Sequence, residues 1–441
     1  MIKILNSCLI KYFKVKLTLV SRVSFTLLLS LSLYTAHGQT VSKDSIAMFL
    51  DIDDVVVTAQ YAPTSSKNAL QSIRTIDRAT ILQRGANNLE QLLNQDPNIR
   101  INQDLILGSG LSLLGVGGEN IKIMIDGVPV VGRLDGNIDL SQINLNNIQR
   151  VEIIEGPVSV IYGTDAIGGV INLITKKSQL LPFELTLSQQ LETRAENSSS
   201  VDVGFRPSDR FLVRLNGGRD WFDGYSPDTL RSVLWNPKEQ WFFDGLLRYD
   251  SESGHSLKYQ YAYFDEEVQN LGNVRRPQFK PYAFDDVYST LRTNHALTHD
   301  GQIGQNYYIQ TTLGANTFDR IVESTRLDFE EDLTTNLGID TTNFTTYILR
   351  SALSSRFRNK KINFQIGTDL RYETGSGGRI FDPESDNTSE SYIEDYALFG
   401  SLRLQPRRDL VLEGGLRASY NTRFDVPLIP SFHFKYNWTD Q

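Results

Sequence analysis

Through most of the chain's second half, hydrophobic and polar positions alternate with period two. In "INFQIGTDLRY", Ile362, Phe364, Ile366, Leu370 and Tyr372 fall on one face and Asn363, Gln365, Asp369 and Arg371 on the other. "LVLEGGLRASY" sets Leu410, Leu412, Leu416, Ala418 and Tyr420 against Glu413, Arg417 and Ser419. "LKYQYAY" sets Leu257, Tyr259, Tyr261 and Tyr263 against Lys258 and Gln260. Strand side chains point alternately to opposite faces, so each segment has an apolar and a polar side. Alternation over about ten residues suits a strand with lipid outside and water within. The pattern predicts about twelve such strands, beginning near Phe183, Ser199, Arg210, Gln240, His255, Val287, Gln305, Asn343, Lys361, Ser391, Asp409 and Pro430.

The connections alternate too. Short turns are expected at "RPSD", "SESG", "HDGQ", "RNKK" and "QPRRD", with long loops near 225–239, 269–285, 326–342 and 376–389. Short turns on one side and long loops on the other are the habit of outer-membrane barrels. A soluble β-sandwich also alternates but does not explain this asymmetry. Trp221, Phe222, Trp241, Phe242 and Phe243 cluster beside the first long loop, where an interfacial aromatic girdle is expected.

Before the strands the pattern is mixed. "NNLEQLLNQDPNI" predicts a helix over 88–95, with Asn87 as cap and Pro97 as stop. "NIKIMIDGVPV" predicts strand, turn and strand built on Asp126-Gly127, and "IQRVEIIEG" and "GGVINLITK" predict two more strands. Residues 65–178 therefore form a small α/β domain, and 179–441 the β region.

The first 38 residues differ again. Lys3, Lys11, Lys14, Lys16 and Arg22 precede the apolar "VSFTLLLSLSLYTA" and a small-residue site ending at Gly38, the layout of a secretory signal. After its removal the chain keeps 39 of 44 basic residues and all 52 acidic ones, a net charge of 39 − 52 = −13. That balance disfavours nucleic acid as a partner. The single cysteine, Cys8, lies in the signal, so no disulfide is expected. No apolar run of about 20 residues follows residue 40, so no membrane-spanning helix is expected.

With signal, α/β domain and barrel strands in that order, "IQRVEIIEGPVSVIYGTDAIGGVINLITKK" resembles the closing segment of the plug of TonB-dependent outer-membrane receptors. Arg150, Gly156, Pro157, Tyr162, Gly163, Ala166, Gly168, Gly169, Ile171, Asn172 and Thr175 carry the likeness, and Asp126 and Gly127 match the plug hairpin. "DDVVVTAQ" resembles the TonB box within the 39–64 extension, with Asp54, Val55, Val56, Val57, Thr58 and Ala59 as its contact residues. The resemblance implies an α/β plug followed by a transmembrane antiparallel β-barrel. It also implies active import of a scarce nutrient such as a ferric siderophore or cobalamin, driven through TonB with ExbB and ExbD. The glycines and Tyr162 are then structural, placed where the plug meets the barrel wall. A plugged barrel that binds or adheres without transporting, and a non-functional fragment, are the alternative readings.

Two departures stand out. Leu114-Gly115 occupies the place of the family's Arg-Gly pair. Plugged barrels have about 22 strands, whereas about twelve fit before Gln441, so the reading expects a barrel cut part-way.

Enzyme chemistry is not expected. "GSGLSL" lacks the third glycine of a dinucleotide loop, and there is no GxSxG or HExxH motif. His295 and His299 share a strand face without a third ligand, so no metal or cofactor is assigned. The acidic groups Asp265-Glu266-Glu267, Asp285-Asp286 and Glu330-Glu331-Asp332 read as a solvated rim on the long loops.

Overall fold

The computed structural model describes residues 55–56 and 64–65 as backbone, and 70–102, 109–134, 136–177, 179, 181–193, 196–227, 231–277, 280–355, 361–378, 390–407 and 409–438 in full. Strand β1 (Val55–Val56) pairs antiparallel with β2 (Thr64–Ser65). The α/β part follows with β3 (Ser72–Asp77), α1 (Arg78–Gln83), α2 (Leu89–Leu93), β4 (Ile99–Asn102), β5 (Gly110–Leu113), β6 (Val116–Gly117), β7 (Ile121–Ile125), β8 (Val128–Pro129), β9 (Ile148–Glu155), α3 (Ser159–Tyr162) and β10 (Gly169–Thr175). Its five-stranded sheet has the order β3-β9-β10-β7-β8, with β10 parallel to β7 and antiparallel to β9. Because β10 is central, all seven of its residues are buried. That explains why "GVINLIT" does not alternate: its apolar residues face both ways, and its polar Asn172 and Thr175 are buried in hydrogen bonds to the β7–β8 turn.

Helix α2 lays Leu89, Leu92 and Leu93 into a core with Leu113, Ile121, Val151, Ile153, Ile171 and Leu173. Its cap is Asn88, whose side chain accepts from the Gln91 amide at 3.0 Å, one residue later than the expected Asn87. Helix α1 went unpredicted. It is six residues long and buries only Ile81, so it has almost no periodic signal; Asp77 caps it by accepting from the Thr80 amide at 2.7 Å. The hairpin β7–β8 turns on Asp126 (φ 52°) and Gly127 (φ 84°), and β5–β6 on Leu114 (φ 51°) and Gly115 (φ 85°). Both central residues in the left-handed region is the signature of a tight two-residue hairpin. At Gly169 a Cβ would lie 2.3 Å from the Ile154 carbonyl oxygen, so only glycine lets β10 pass β9 there.

Among the described residues the second half is one twelve-stranded antiparallel meander. It runs β11 (Phe183–Leu191), β12 (Glu196–Ser208), β13 (Phe211–Phe222), β14 (Lys238–Asp250), β15 (His255–Leu271), β16 (Tyr282–Ile303), β17 (Tyr307–Asp328), β18 (Leu333–Ser355), β19 (Ile362–Gly377), β20 (Glu390–Arg407), β21 (Leu410–Asn421) and β22 (Ile429–Tyr436). Each strand pairs with its neighbour in sequence, and no described residue of β11 pairs with β22. Outward side chains such as Leu187, Leu398 and Tyr420 are apolar and exposed, while Asn216, Arg403 and Glu413 on the other face are buried. No helix among the described residues is long and apolar enough to cross a membrane.

Several boundaries differ from the pattern-based expectation, and most of "RPSD" and "QPRRD" belongs to the ends of β12 and β20. "HDGQ" is strand, not turn, because β16 continues to Ile303 and the turn falls at 304–306. The expected loop at 326–342 is largely strand: β17 and β18 reach 22 and 23 residues and leave only 329–332 as a turn. A crossing takes about 9–11 residues, so this hairpin extends past a bilayer, where polar residues on both faces hid its strand character. The loop expected at 269–285 shrinks to 272–281 for the same reason. Phe242 also departs from the girdle: it shares parity with buried Gln240 and points inward, 5% exposed, whereas Trp221, Trp241 and Phe243 face out.

Candidate functional site: the seam between plug and wall

The inner face of the sheet is occupied by the α/β domain, and the chemistry of the molecule is concentrated where the two meet. Asp126, at the tip of the β7–β8 hairpin, is the centre of one junction. Its carboxylate accepts from Thr175 Oγ1 (2.5 Å), the Thr175 amide (3.2 Å) and Gln260 Nε2 of β15 (2.5 Å), and pairs with Lys177 Nζ at 2.5 Å. One buried carboxylate thus ties the hairpin, the exit of the plug and the barrel wall together. Burial alone would push Asp126 up, but Lys177 and the Thr175 and Gln260 hydrogen bonds outweigh it and hold the carboxyl below its usual range. Asn172 completes the turn by accepting from the Gly127 amide at 3.0 Å.

A second junction lies at α3. Lys122 donates to the Tyr162 carbonyl (2.6 Å) and to Asp165 (3.0 Å), while Arg350 of β18 donates to the Ile161 carbonyl (2.7 Å). Arg350 and Arg417 each approach Asp369 at 3.4 Å, and Arg371 lies 4.0 Å from Asp165. Burial pushes Asp165 up, and Lys122, Arg371 and Arg133 pull it down further, leaving it ionised well below its ordinary value. The Arg350 guanidinium also lies 5.5 Å from the Tyr162 ring centroid and 5.0 Å from that of Phe399. This is cation–π support from plug and wall at once.

A third contact joins the 3-10 turn Leu140–Gln142 to the wall. Gln142 Nε2 donates to Glu266 (2.6 Å), Gln240 donates to the same carboxylate (2.5 Å), and Arg292 donates back to Gln142 Oε1 (2.8 Å) and to the Val131 carbonyl. Glu266 is therefore a buried seam residue, 4% exposed, and not part of a solvated rim. Its position opposite inward Gln240 in the β14–β15 register is what turns it inside. Lys176 pairs with Asp202 of β12 at 2.7 Å. Apolar contact across the seam includes one small cluster, Val128 with Ala296 and Ile348.

The structure places the other sequence-selected residues as follows. Arg150 donates to Glu152 at 2.8 Å. Gly156 (φ 94°) and Gly163 (φ 99°) sit at the turns flanking α3, with Pro157 just before it. A Cβ on Gly168 would meet Val116 at 2.8 Å. Of the TonB-box residues, Asp54, Val57, Thr58 and Ala59 lie outside the described residues, and Val55 and Val56 are described as backbone in β1 only. His299 stacks on His255, with ring nitrogens 3.1 Å apart, and His295 meets the Tyr259 hydroxyl at 2.9 Å. The pattern alone missed Gln260, Glu266, Arg292 and Arg350. Gln260, Arg292 and Arg350 are single polar residues at inward strand positions, and Glu266 lies within an acidic run, so only parity with neighbours marks each of them.

A plug domain seated on the polar face of a lipid-facing antiparallel sheet defines a class, and the comparisons agree with it. Residues 65–170 match the TonB-dependent Receptor Plug Domain family. Residues 65–170 are thus a plug domain of the TonB-dependent receptor kind, and the chain as a whole has the plug-and-barrel fold of such receptors. The vitamin B12 transporter BtuB of Vibrio cholerae serotype O1 is 33% identical over 251 residues, which is 56% of this chain and 39% of that relative. The chain thus spans well under half the length of the curated relatives it matches. A variant of the ferric enterobactin receptor PfeA from Pseudomonas aeruginosa superposes with a TM-score of 0.68 at 18% identity, covering 88% of this chain and 62% of that one. The siderophore receptor PiuA from Acinetobacter baumannii gives 0.65 at 13% identity, covering 87% and 64%. These structural likenesses carry the fold.

Proposed function

We propose that this chain supplies the plug and part of the wall of an importer in the outer membrane, reached by way of its N-terminal secretory signal. It takes up a scarce nutrient energised through TonB with ExbB and ExbD. The observation that carries this reading is the polar seam. Ion pairs and hydrogen bonds at Asp126, Asp165, Glu266 and Asp202 can be exchanged for water at small net cost, so the plug can shift without baring a large apolar face. A purely structural domain gains more by seating on an apolar interface. TonB captures Asp54, Val55, Val56, Val57, Thr58 and Ala59 by strand addition, in which backbone hydrogen bonds carry the affinity. Pulling there acts on β3 and then on the seam.

For the substrate we propose cobalamin ahead of ferric siderophores, because the 33% identity extends over more than half the chain, whereas the siderophore receptors share fold at 13% and 18%. The test is uptake of labelled cyanocobalamin by cells carrying the intact gene, with Val56→Pro beside the wild type. Proline removes the amide that strand addition needs. The expected result is binding retained and uptake lost. Equal uptake by the variant contradicts TonB coupling, and uptake of a ferric siderophore but not of cyanocobalamin reverses the substrate order.

A further inference from the structure

A cavity of about 110 Å³ lies between the β7–β8 hairpin and the wall formed by β14, β15 and β16. Its lining is mainly apolar, with Ile125, Val128 and Ile143 from the plug and Leu246, Ala262 and Phe264 from the wall. One carboxylate, Asp244, lines it. Among the described residues no basic side chain pairs with Asp244 and no hydrogen bond reaches it. The neighbouring cations are committed elsewhere. Lys176 and Arg214 hold Asp202 at 2.7 and 2.9 Å, and Arg292, which also lines the cavity, has its guanidinium on Gln142 and the Val131 carbonyl.

A second observation comes from the adjacent strand. Asn216 stands directly opposite Asp244 in the β13–β14 register, which brings their Cβ atoms to about 5 Å. Asn216 is 2% exposed, and neither its amide oxygen nor its amide nitrogen has a partner among the described residues. Buried polar groups are ordinarily satisfied, and a buried charge ordinarily has a counter-charge. Among the described residues Asn216 is fully buried without a partner, and the half-buried Asp244 carboxylate beside it has none either.

From this juxtaposition we propose that the cavity is a binding site for a small organic cation, an ammonium group on a short apolar body. The ammonium donates to Asp244, with the Asn216 amide on the neighbouring strand next to that carboxylate, and the body lies against Ile125, Leu246 and Ala262. A single carboxylate matches a single positive charge, and a divalent ion would lack ligand charge. The site lies on the seam, so a shift of the plug gives it access. The assignment does not depend on the identity of the imported nutrient.

The test is isothermal titration of the purified full chain in detergent micelles with n-butylammonium, n-butanol and butyrate. The expected result is saturable one-to-one binding of n-butylammonium alone. Asp244→Asn removes the charged acceptor and is expected to weaken it by about tenfold or more. Ala262→Leu fills the cavity from the position opposite Asp244, leaves the carboxylate in place, and is also expected to abolish binding. The proposal is overturned by absence of n-butylammonium binding, by equal binding of n-butanol, or by unchanged binding in Asp244→Asn. If Asp244→Asn does not fold, Ala262→Leu decides: lost binding supports the site and retained binding overturns it.

Discussion

Asp126 shows how much a single side chain does here. Its backbone sits at φ 52° to close a two-residue hairpin, and its carboxylate is 3% exposed with Lys177, Thr175 and Gln260 around it. Removing one partner from such a buried set leaves the others unsatisfied and costs about 3 kcal/mol or more. Asp126→Ala is expected to destabilise the plug by that order, seen as a lower thermal midpoint in a calorimetric scan, whereas an unchanged midpoint would deny the junction any weight. The pH dependence has a definite sign. The ordinary carboxyl value is 3.8 and the folded value is lower, so this stabilisation is complete above roughly pH 5 and drains away as acid takes the pH through the folded value. Limited proteolysis of the plug should therefore accelerate below about pH 4 in the wild type and show a weaker acid limb in Asp126→Asn. The sequence marked Asp126 as a turn residue only. Its electrostatic role needs Lys177 and Gln260, which are 51 and 134 positions away, and no local pattern links them.

At the scale of elements, strands were legible and their ends were not. Alternation located β19 and β21 closely, because both are apolar on one face and polar on the other. It failed past the bilayer on β17 and β18, where the hairpin is wet on both sides and the contrast disappears. Short elements such as α1 were hidden because a single buried residue makes no period. The β5–β6 hairpin has a visible misfit: Leu114 occupies a left-handed position, φ 51°, and is 60% exposed. Leucine is strained there and packs against little, so Leu114→Asn, suited to this turn, is expected to stabilise the plug by about 1 kcal/mol. A lower melting temperature in the variant would show that Leu114 makes contacts that outweigh its strain. The opposite outcome is expected for Gly132→Ala. A Cβ at Gly132 would stand 2.3 Å from the Phe318 ring, at a φ of 85°, so plug and β17 must separate, detected as faster proteolysis of the plug.

For the whole molecule, the central claim is that residues after about 180 form a lipid-facing wall whose inner face holds the plug. The chain has no cysteine beyond Cys8, so single cysteines can be placed along β20 and labelled with a fluorophore in isolated outer-membrane vesicles. The direct measurement is quenching by a nitroxide lipid at positions 396 to 402. Tyr396, Leu398 and Leu402 face out and Ala397, Phe399 and Ser401 face in. The account predicts strong lipid quenching at 396, 398 and 402 and little at 397, 399 and 401. Uniform quenching by a water-soluble agent at all six, with no alternation, would contradict it.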